Sequence, residues 1–226
     1  LLLTGLSRSG KTAMVKFFVR SLRCGQLNSE TLDPCDGSCP ACWQMQGGIE
    51  NDYGIFVYDR TPVATTPVHL HVVDCTKIYT PNELIGTLRA VRDKHSNDGY
   101  VIAYLDEVHR LVTRHMDEIL LKEVEEQPIL WIFSTAKPER LEDMFLNRML
   151  KLKTEVPSVE EMVHWVADRC DEWQINWEEE AVLRVVEKSN RVVGTALHAL
   201  ALASVDPDEG LTLDLVENEW CVAVEV

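Results

Sequence analysis

The eight residues Gly5-Leu6-Ser7-Arg8-Ser9-Gly10-Lys11-Thr12 constrain this chain more than any other stretch. A glycine, four residues and then Gly-Lys-Thr is the pattern of a phosphate-binding loop. Its glycines let the backbone curl until successive N–H groups face one anion. The helix expected to follow turns its positive N-terminus toward the same place. Both flanks suit this reading. Leu1 to Thr4 is an apolar run that reads as a buried strand, and Thr12 to Leu22 sets Met14, Val15, Phe18, Val19 and Leu22 at helical spacing. In such a loop Gly5, Ser7, Arg8, Ser9 and Gly10 surround the phosphates of ATP. Lys11 reaches the β- and γ-phosphates, and the Thr12 hydroxyl ligates magnesium.

A nucleotide site of this kind also needs carboxylates at the end of a buried strand. Val101 to Leu105 is apolar throughout and closes on Asp106-Glu107. Asp106 would hold the magnesium through water, and Glu107 would polarise the attacking water as a general base. Taken alone, an acidic strand end is common; paired with the phosphate loop it gains meaning.

The rest of the chain alternates strands with helices. His69 to Val73, Val101 to Leu105 and Leu130 to Phe133 read as strands, Leu150 to Lys153 as an edge-like last strand, and Pro81 opens a helix through Leu84, Leu88 and Val91. Apolar strands separated by helices argue an α/β fold with a parallel sheet covered on both faces. Tyr53 to Tyr58 resembles a strand inside a less regular stretch, 47–67, which reads as a hairpin inserted at the sheet edge. After Pro157 only helical patterns remain: Val159 to Trp173, Glu178 to Lys188 and Gly194 to Ala203. The expected division is therefore an α/β nucleotide-binding domain over 1–156 and a small helical domain over 157–226.

Cys24, Cys35, Cys39 and Cys42 cluster in one loop, whereas Cys75, Cys170 and Cys221 are scattered. The Cys39-Pro-Ala-Cys42 spacing is that of zinc knuckles, and four thiolates suit one tetrahedral zinc ion. A redox dithiol or a set of free cysteines is the alternative. A closed four-cysteine site leaves no open position for catalysis, so its role would be to hold a loop that has no core of its own. The scattered cysteines read as small buried apolar residues.

The formal charge of −15 repels nucleic-acid phosphates, so any DNA contact needs a local basic patch or a partner subunit. No apolar run approaches a membrane span, and the first residues are too short for a signal peptide, which points to the cytoplasm and away from membranes. The chain opens without an initiator Met, as expected of a fragment.

These residues resemble the γ/τ ATPase family of bacterial DNA polymerase III clamp loaders, which are AAA+ proteins. The resemblance runs in order along nearly the whole chain. It takes in the phosphate loop, the four cysteines directly after its helix, Leu105-Asp106-Glu107-Val108-His109, Leu120 to Pro128, Phe133 to Leu141 and Leu146-Asn147-Arg148-Met149. It implies a three-layer AAA+ domain with an inserted zinc module at about 24–42, followed by a helical lid. It also implies that Arg148 is an arginine finger, entering a neighbouring subunit's ATP site to stabilise charge on the transferred phosphoryl group.

Departures accompany the resemblance. The cysteine spacing is looser than the family's, and Asn147 and Met149 replace the residues that flank the finger. Counting back from Arg148 puts the family's polar sensor at Ala136; Thr135, one place earlier, is the polar choice. Leu197 stands where the lid supplies an arginine to the γ-phosphate, and a leucine cannot make that charge-assisted hydrogen bond. The expected protein is thus an ATP-hydrolysing subunit of a ring or partial ring of AAA+ subunits, handling a sliding clamp and primer-template DNA in replication. Two other readings stay open: a nucleotide-binding scaffold or switch with little hydrolysis, and a related ATPase serving a phage, mobile element or defence system.

Overall fold

A computed structural model of the chain describes residues 1–45, 49–50, 55–58, 68–95, 100–126 and 129–220. They form two compact units. Leu1–Gly5 and Lys11–Lys153 make the first, and Leu6–Gly10 with Thr154–Val226 make the second.

The first unit runs β1 (Leu2–Thr4), α1 (Lys11–Arg23), α2 (Pro40–Gln44), β2 (Ile49–Glu50), β3 (Ile55–Tyr58), β4 (Val68–Asp74), α3 (Pro81–His95), β5 (Tyr100–Asp106), α4 (His109–Val112), α5 (Asp117–Glu126), β6 (Leu130–Thr135), α6 (Asp143–Leu146) and β7 (Lys151–Lys153). Its strands lie in the order β2-β3-β4-β5-β6-β1-β7. The five from β4 to β7 in that order are parallel, and β2 and β3 add an antiparallel hairpin at one edge. The edge hairpin expected from the sequence is therefore present, while 47–48, 51–54 and 59–67 of that stretch lie outside the described residues.

Period-two alternation assigns each strand residue to one of two cores. Leu2, Val73, Val101, Ala103, Leu105, Trp131 and Phe133 face α3, α4 and α5, where Leu84, Leu88, Leu111 and Leu120 are buried. Leu3, Leu70, Ile102, Tyr104 and Ile132 face Val15 and Val19 of α1. Strand β5 is buried on both faces, as a central parallel strand must be. Helix α3 starts where the sequence stops it fraying: Glu83 accepts from the backbone N–H of Tyr79 and Thr80, and Thr80 Oγ1 accepts from Glu83 N.

One sequence expectation needs correction. Val15 and Val19 are buried, but Met14, Phe18 and Leu22 are about half exposed. The apolar face of α1 is wider than the sheet covers, because only the Val15–Val19 stripe lies over the strands. The remainder, with Phe17, Leu27 and Leu32, lines an apolar groove of about 800 Å³.

The second unit contains α7 (Val159–Glu172), α8 (Glu179–Lys188) and α9 (Val193–Ala203). Ser158 and Glu161 exchange side chain-to-backbone hydrogen bonds in a complete capping box that opens α7. Met162, Val166, Cys170, Val182, Val185, Val186, Ala199 and Leu200 form its core. Gly210 is required where it stands: at φ +75°, any Cβ would fall 2.1 Å from the Asn176 carbonyl oxygen.

Candidate functional site

The phosphate loop takes its shape from residues that tolerate left-handed backbone. Gly5, Arg8 and Gly10 have φ of 155°, 59° and 87°. Reversals at such short spacing curl the chain, and the Ser9 N–H turns back to the Leu6 carbonyl at 3.3 Å. Lys11 begins α1 and is buried, and its Nζ donates to the Gly5 carbonyl at 3.2 Å. The Leu6–Gly10 arc belongs to the second unit, where Gly194 N donates to the Arg8 carbonyl at 3.0 Å and Ser9 Oγ lies 3.1 Å from Thr154 Oγ1. A Cβ on Gly194 would meet Arg8 at 2.8 Å, so only glycine admits that approach.

Thr12 and Asp106, both named from the sequence, come together, with Thr12 Oγ1 3.4 Å from Asp106 Oδ2. Hard oxygen donors of this kind suit magnesium. The same corner holds two residues that sequence reasoning missed. Tyr104 Oη lies 3.2 Å from Thr12 Oγ1, 3.1 Å from Asp106 Oδ1 and 2.9 Å from Ser134 Oγ, and Ser134 Oγ donates to Asp106 Oδ1. Burial, reinforced by the Asp106 charge, pushes the Tyr104 phenol well above its ordinary value, so it stays protonated. The available signal was the strand alternation: Tyr104 is two residues before Asp106 and shares its face.

Glu107 sits just past β5 at φ 54°, an unusual backbone state for a residue with a side chain. Its Oε2 accepts from Ala136 N at 3.2 Å and lies 3.1 Å from His109 Nδ1. Burial is the largest influence on His109 and lowers its pKa, so the ring is neutral near pH 7. A carboxylate cannot donate, so the Nδ1–H tautomer is the one that satisfies Glu107. Thr135, the expected sensor, turns to the opposite face from Asp106. Its Oγ1 is 2.9 Å from His109 Nδ1 and accepts from Lys137 N. The residue of β6 that reaches Asp106 is Ser134.

Arg148 follows α6 on the surface of the first unit. Its Nε pairs with Glu125 Oε1 at 2.7 Å, and Nη1 donates to the Met144 carbonyl at 2.9 Å. In the second unit, Leu197 packs against the helical core. A cavity of about 450 Å³ there is lined by Val156, Pro157, Met162, Trp165 and Val193 among others, a feature the sequence did not reveal.

The four clustered cysteines converge: their sulfur atoms all lie within 4.8 Å of one another. Tetrahedral zinc with four thiolates sets sulfurs about 3.8 Å apart, and Cys24 Sγ and Cys39 Sγ are 3.9 Å apart. Backbone N–H groups of Gln26 and Cys35 point at Cys24 Sγ, and Cys42 N points at Cys39 Sγ. Hydrogen bonds from the Cys39 and Gly37 backbone lower Cys35 to about 6, whereas burial pushes Cys42 up to about 12. A buried sulfur of that kind favours a bound cation over a bare thiolate. Arg20 Nη2 donates to the Cys35 carbonyl at 2.5 Å and ties the module to α1.

Among the described residues, no helix is long and apolar enough to cross a membrane. No family model matches the sequence. The chain is 26% identical over 201 residues to DNA polymerase III subunit gamma of Buchnera aphidicola subsp. Schizaphis graminum, covering 88% of this chain and 50% of that protein. It is 28% identical over 190 residues to the same subunit of Buchnera aphidicola subsp. Baizongia pistaciae, covering 82% and 45%. It thus spans about half the length of these relatives. Among solved structures, the Thermotoga maritima RuvB Holliday junction branch migration motor matches with a TM-score of 0.55 at 14% identity, over 95% of this chain and 58% of that one. Hsp104 in its closed state, with ATPγS and casein, matches with a TM-score of 0.54 at 15% identity, over 96% and 34%. These likenesses show the fold. In sequence the chain is similar to DNA polymerase III subunit gamma, and in fold to RuvB and Hsp104.

Proposed function

We propose that this chain is an ATP-binding and ATP-hydrolysing subunit of a clamp-loader-like assembly acting in DNA replication. The observation that carries the reading is the convergence of Thr12 and Asp106 beside the curled loop, with Glu107 anchored next to them. Gly5, Ser7, Arg8, Ser9, Gly10 and Lys11 would hold the phosphates. Magnesium, held by Thr12 and through Asp106, would neutralise phosphate charge. Glu107 takes the proton of the attacking water, and its two anchors aim the carboxylate.

Arg148 serves a neighbour's site. Its pair with Glu125 is exposed, and such surface pairs contribute only about 0–1 kcal/mol, so releasing the guanidinium to a partner costs little. The Arg148→Ala variant is expected to turn over ATP like the wild type when alone and to lose the stimulation that partner subunits give. A phosphate-release assay with and without partners checks this; equal stimulation would remove the finger role. The net charge of −15 leaves DNA contact to a local patch or to those partners.

Lys11→Ala tests the nucleotide site itself. Losing one charged hydrogen-bond donor to phosphate should weaken ATP binding roughly 10–100-fold, read by titration with a fluorescent ATP analogue. Unchanged affinity would sink the site.

A second reading, a nucleotide-binding switch with little hydrolysis, is favoured by Leu197, which spends the lid position on core packing. Tight binding with no turnover, even with partners, would select it. Isolation of the full-length protein with its bound partners identifies the client, be it a sliding clamp or a component of a phage, mobile element or defence system.

A further inference from the structure

Three hydroxyl groups and one carboxylate meet beneath the start of α1, and their protons can be counted. Tyr104 Oη has three oxygens within 3.2 Å but only one proton to give. Ser134 Oγ donates to Asp106 Oδ1, which also accepts from Glu107 N at 3.0 Å. The shortest contact of Tyr104 is to Ser134, at 2.9 Å. One directional chain then uses every hydroxyl proton once: Thr12 to Tyr104, Tyr104 to Ser134, Ser134 to Asp106 Oδ1. Hydrogen bonds aligned in this way polarise one another in a buried setting.

Two consequences follow for a divalent cation. With its proton committed to Tyr104, Thr12 Oγ1 keeps both lone pairs for the metal. With Oδ1 occupied by Ser134 and Glu107 N, Asp106 is pinned so that Oδ2 is the oxygen on the Thr12 side, at 3.4 Å. The Thr12 proton has a nearer acceptor in Tyr104 than in Asp106. A phenylalanine at 104 would fill the same buried volume, so the hydroxyl is not needed for packing; the partners it finds all belong to this corner.

We infer that Tyr104, acting through Ser134, is a positioning residue that sets Thr12 and Asp106 for magnesium. The inference rests on the nucleotide-site reading above. Groups that orient metal ligands typically change metal affinity 10–100-fold when removed, and the same scale applies here.

The test is a magnesium titration of the full chain in the presence of a fluorescent, slowly hydrolysed ATP analogue, with a metal-free arm in EDTA. Tyr104→Phe is expected to raise the magnesium midpoint about 10–100-fold while leaving the metal-free affinity at the wild-type value. Ser134→Ala should move the midpoint in the same direction, and it serves if the Phe variant folds poorly. A Tyr104→Phe protein with lowered thermal stability but the wild-type midpoint has lost only packing, and that result overturns the inference while the nucleotide site stands. A wild-type chain that binds the analogue without responding to magnesium overturns the inference and the magnesium assignment together. A wild-type chain that does not bind the analogue overturns the nucleotide reading as well.

Discussion

Glu107→Gln is expected to lower ATP turnover by about 10²–10⁴-fold and leave nucleotide affinity unchanged. The substitution keeps size and shape, and the amide oxygen can still accept from Ala136 N and His109 Nδ1, at the 3.2 and 3.1 Å seen for the carboxylate. What disappears is basicity. A Gln cannot take a proton from water, so a base role predicts lost chemistry without lost binding. Single-turnover phosphate release, run beside a binding titration, separates the two quantities; wild-type release by the variant would eliminate Glu107 as the base. The left-handed backbone at Glu107 fits this assignment, since strained residues persist where surrounding contacts over-determine them. Here those contacts come from the turn after β6 and from the start of α4.

The second large effect concerns the cysteine module. Purified under reducing conditions, the chain is expected to carry one zinc ion, and Cys42→Ser should remove it. Cys42 is fully buried, and burial pushes its thiol up, so without metal it stays a neutral thiol whose proton zinc must displace. Apparent zinc-binding free energies reach about 10–16 kcal/mol in small zinc-dependent peptides. If only about 3 kcal/mol of that reaches the folded chain, Tm falls by roughly 6–12 °C. Proteolysis should then cut first within 24–42. Nucleotide binding should survive, because the module packs near the far end of α1. That helix is 13 residues long, so the phosphate loop lies about 20 Å away. Less than about half an equivalent of zinc by metal analysis would instead leave a redox dithiol or free thiols.

Much of the site was legible because its parts are local. The spacing within Gly5–Thr12 specifies backbone geometry directly, and Asp106-Glu107 closes an apolar run whose central position follows from its lack of polar residues. The four-cysteine cluster was legible for the same reason: its four thiols lie in one loop, and Cys39 and Cys42 span a single turn at the start of α2. The resemblance to clamp-loader subunits implied a parallel α/β sheet followed by helices, and the strand pairing and the helices after Pro157 have that form.

The outer parts were not legible. Counting along the chain left Thr135 and Ala136 in play and passed over Ser134, because neighbours on a strand point to opposite faces and a one-residue error reverses the answer. In the fold Ser134 faces Tyr104 and Asp106, Thr135 faces His109, and Ala136 offers its backbone N–H to Glu107. The helix α1 shows the same limit, since 3.6-residue spacing revealed an apolar face but not that only Val15 and Val19 lie over the sheet. By itself the sequence determined the chemistry: a phosphate loop, two carboxylates, four thiols and a change to helices after Pro157. The tertiary structure alone decided that Tyr104 and Ser134 join that chemistry, because Ser134 is far along the chain from Asp106 and reaches it only when β6 pairs with β5.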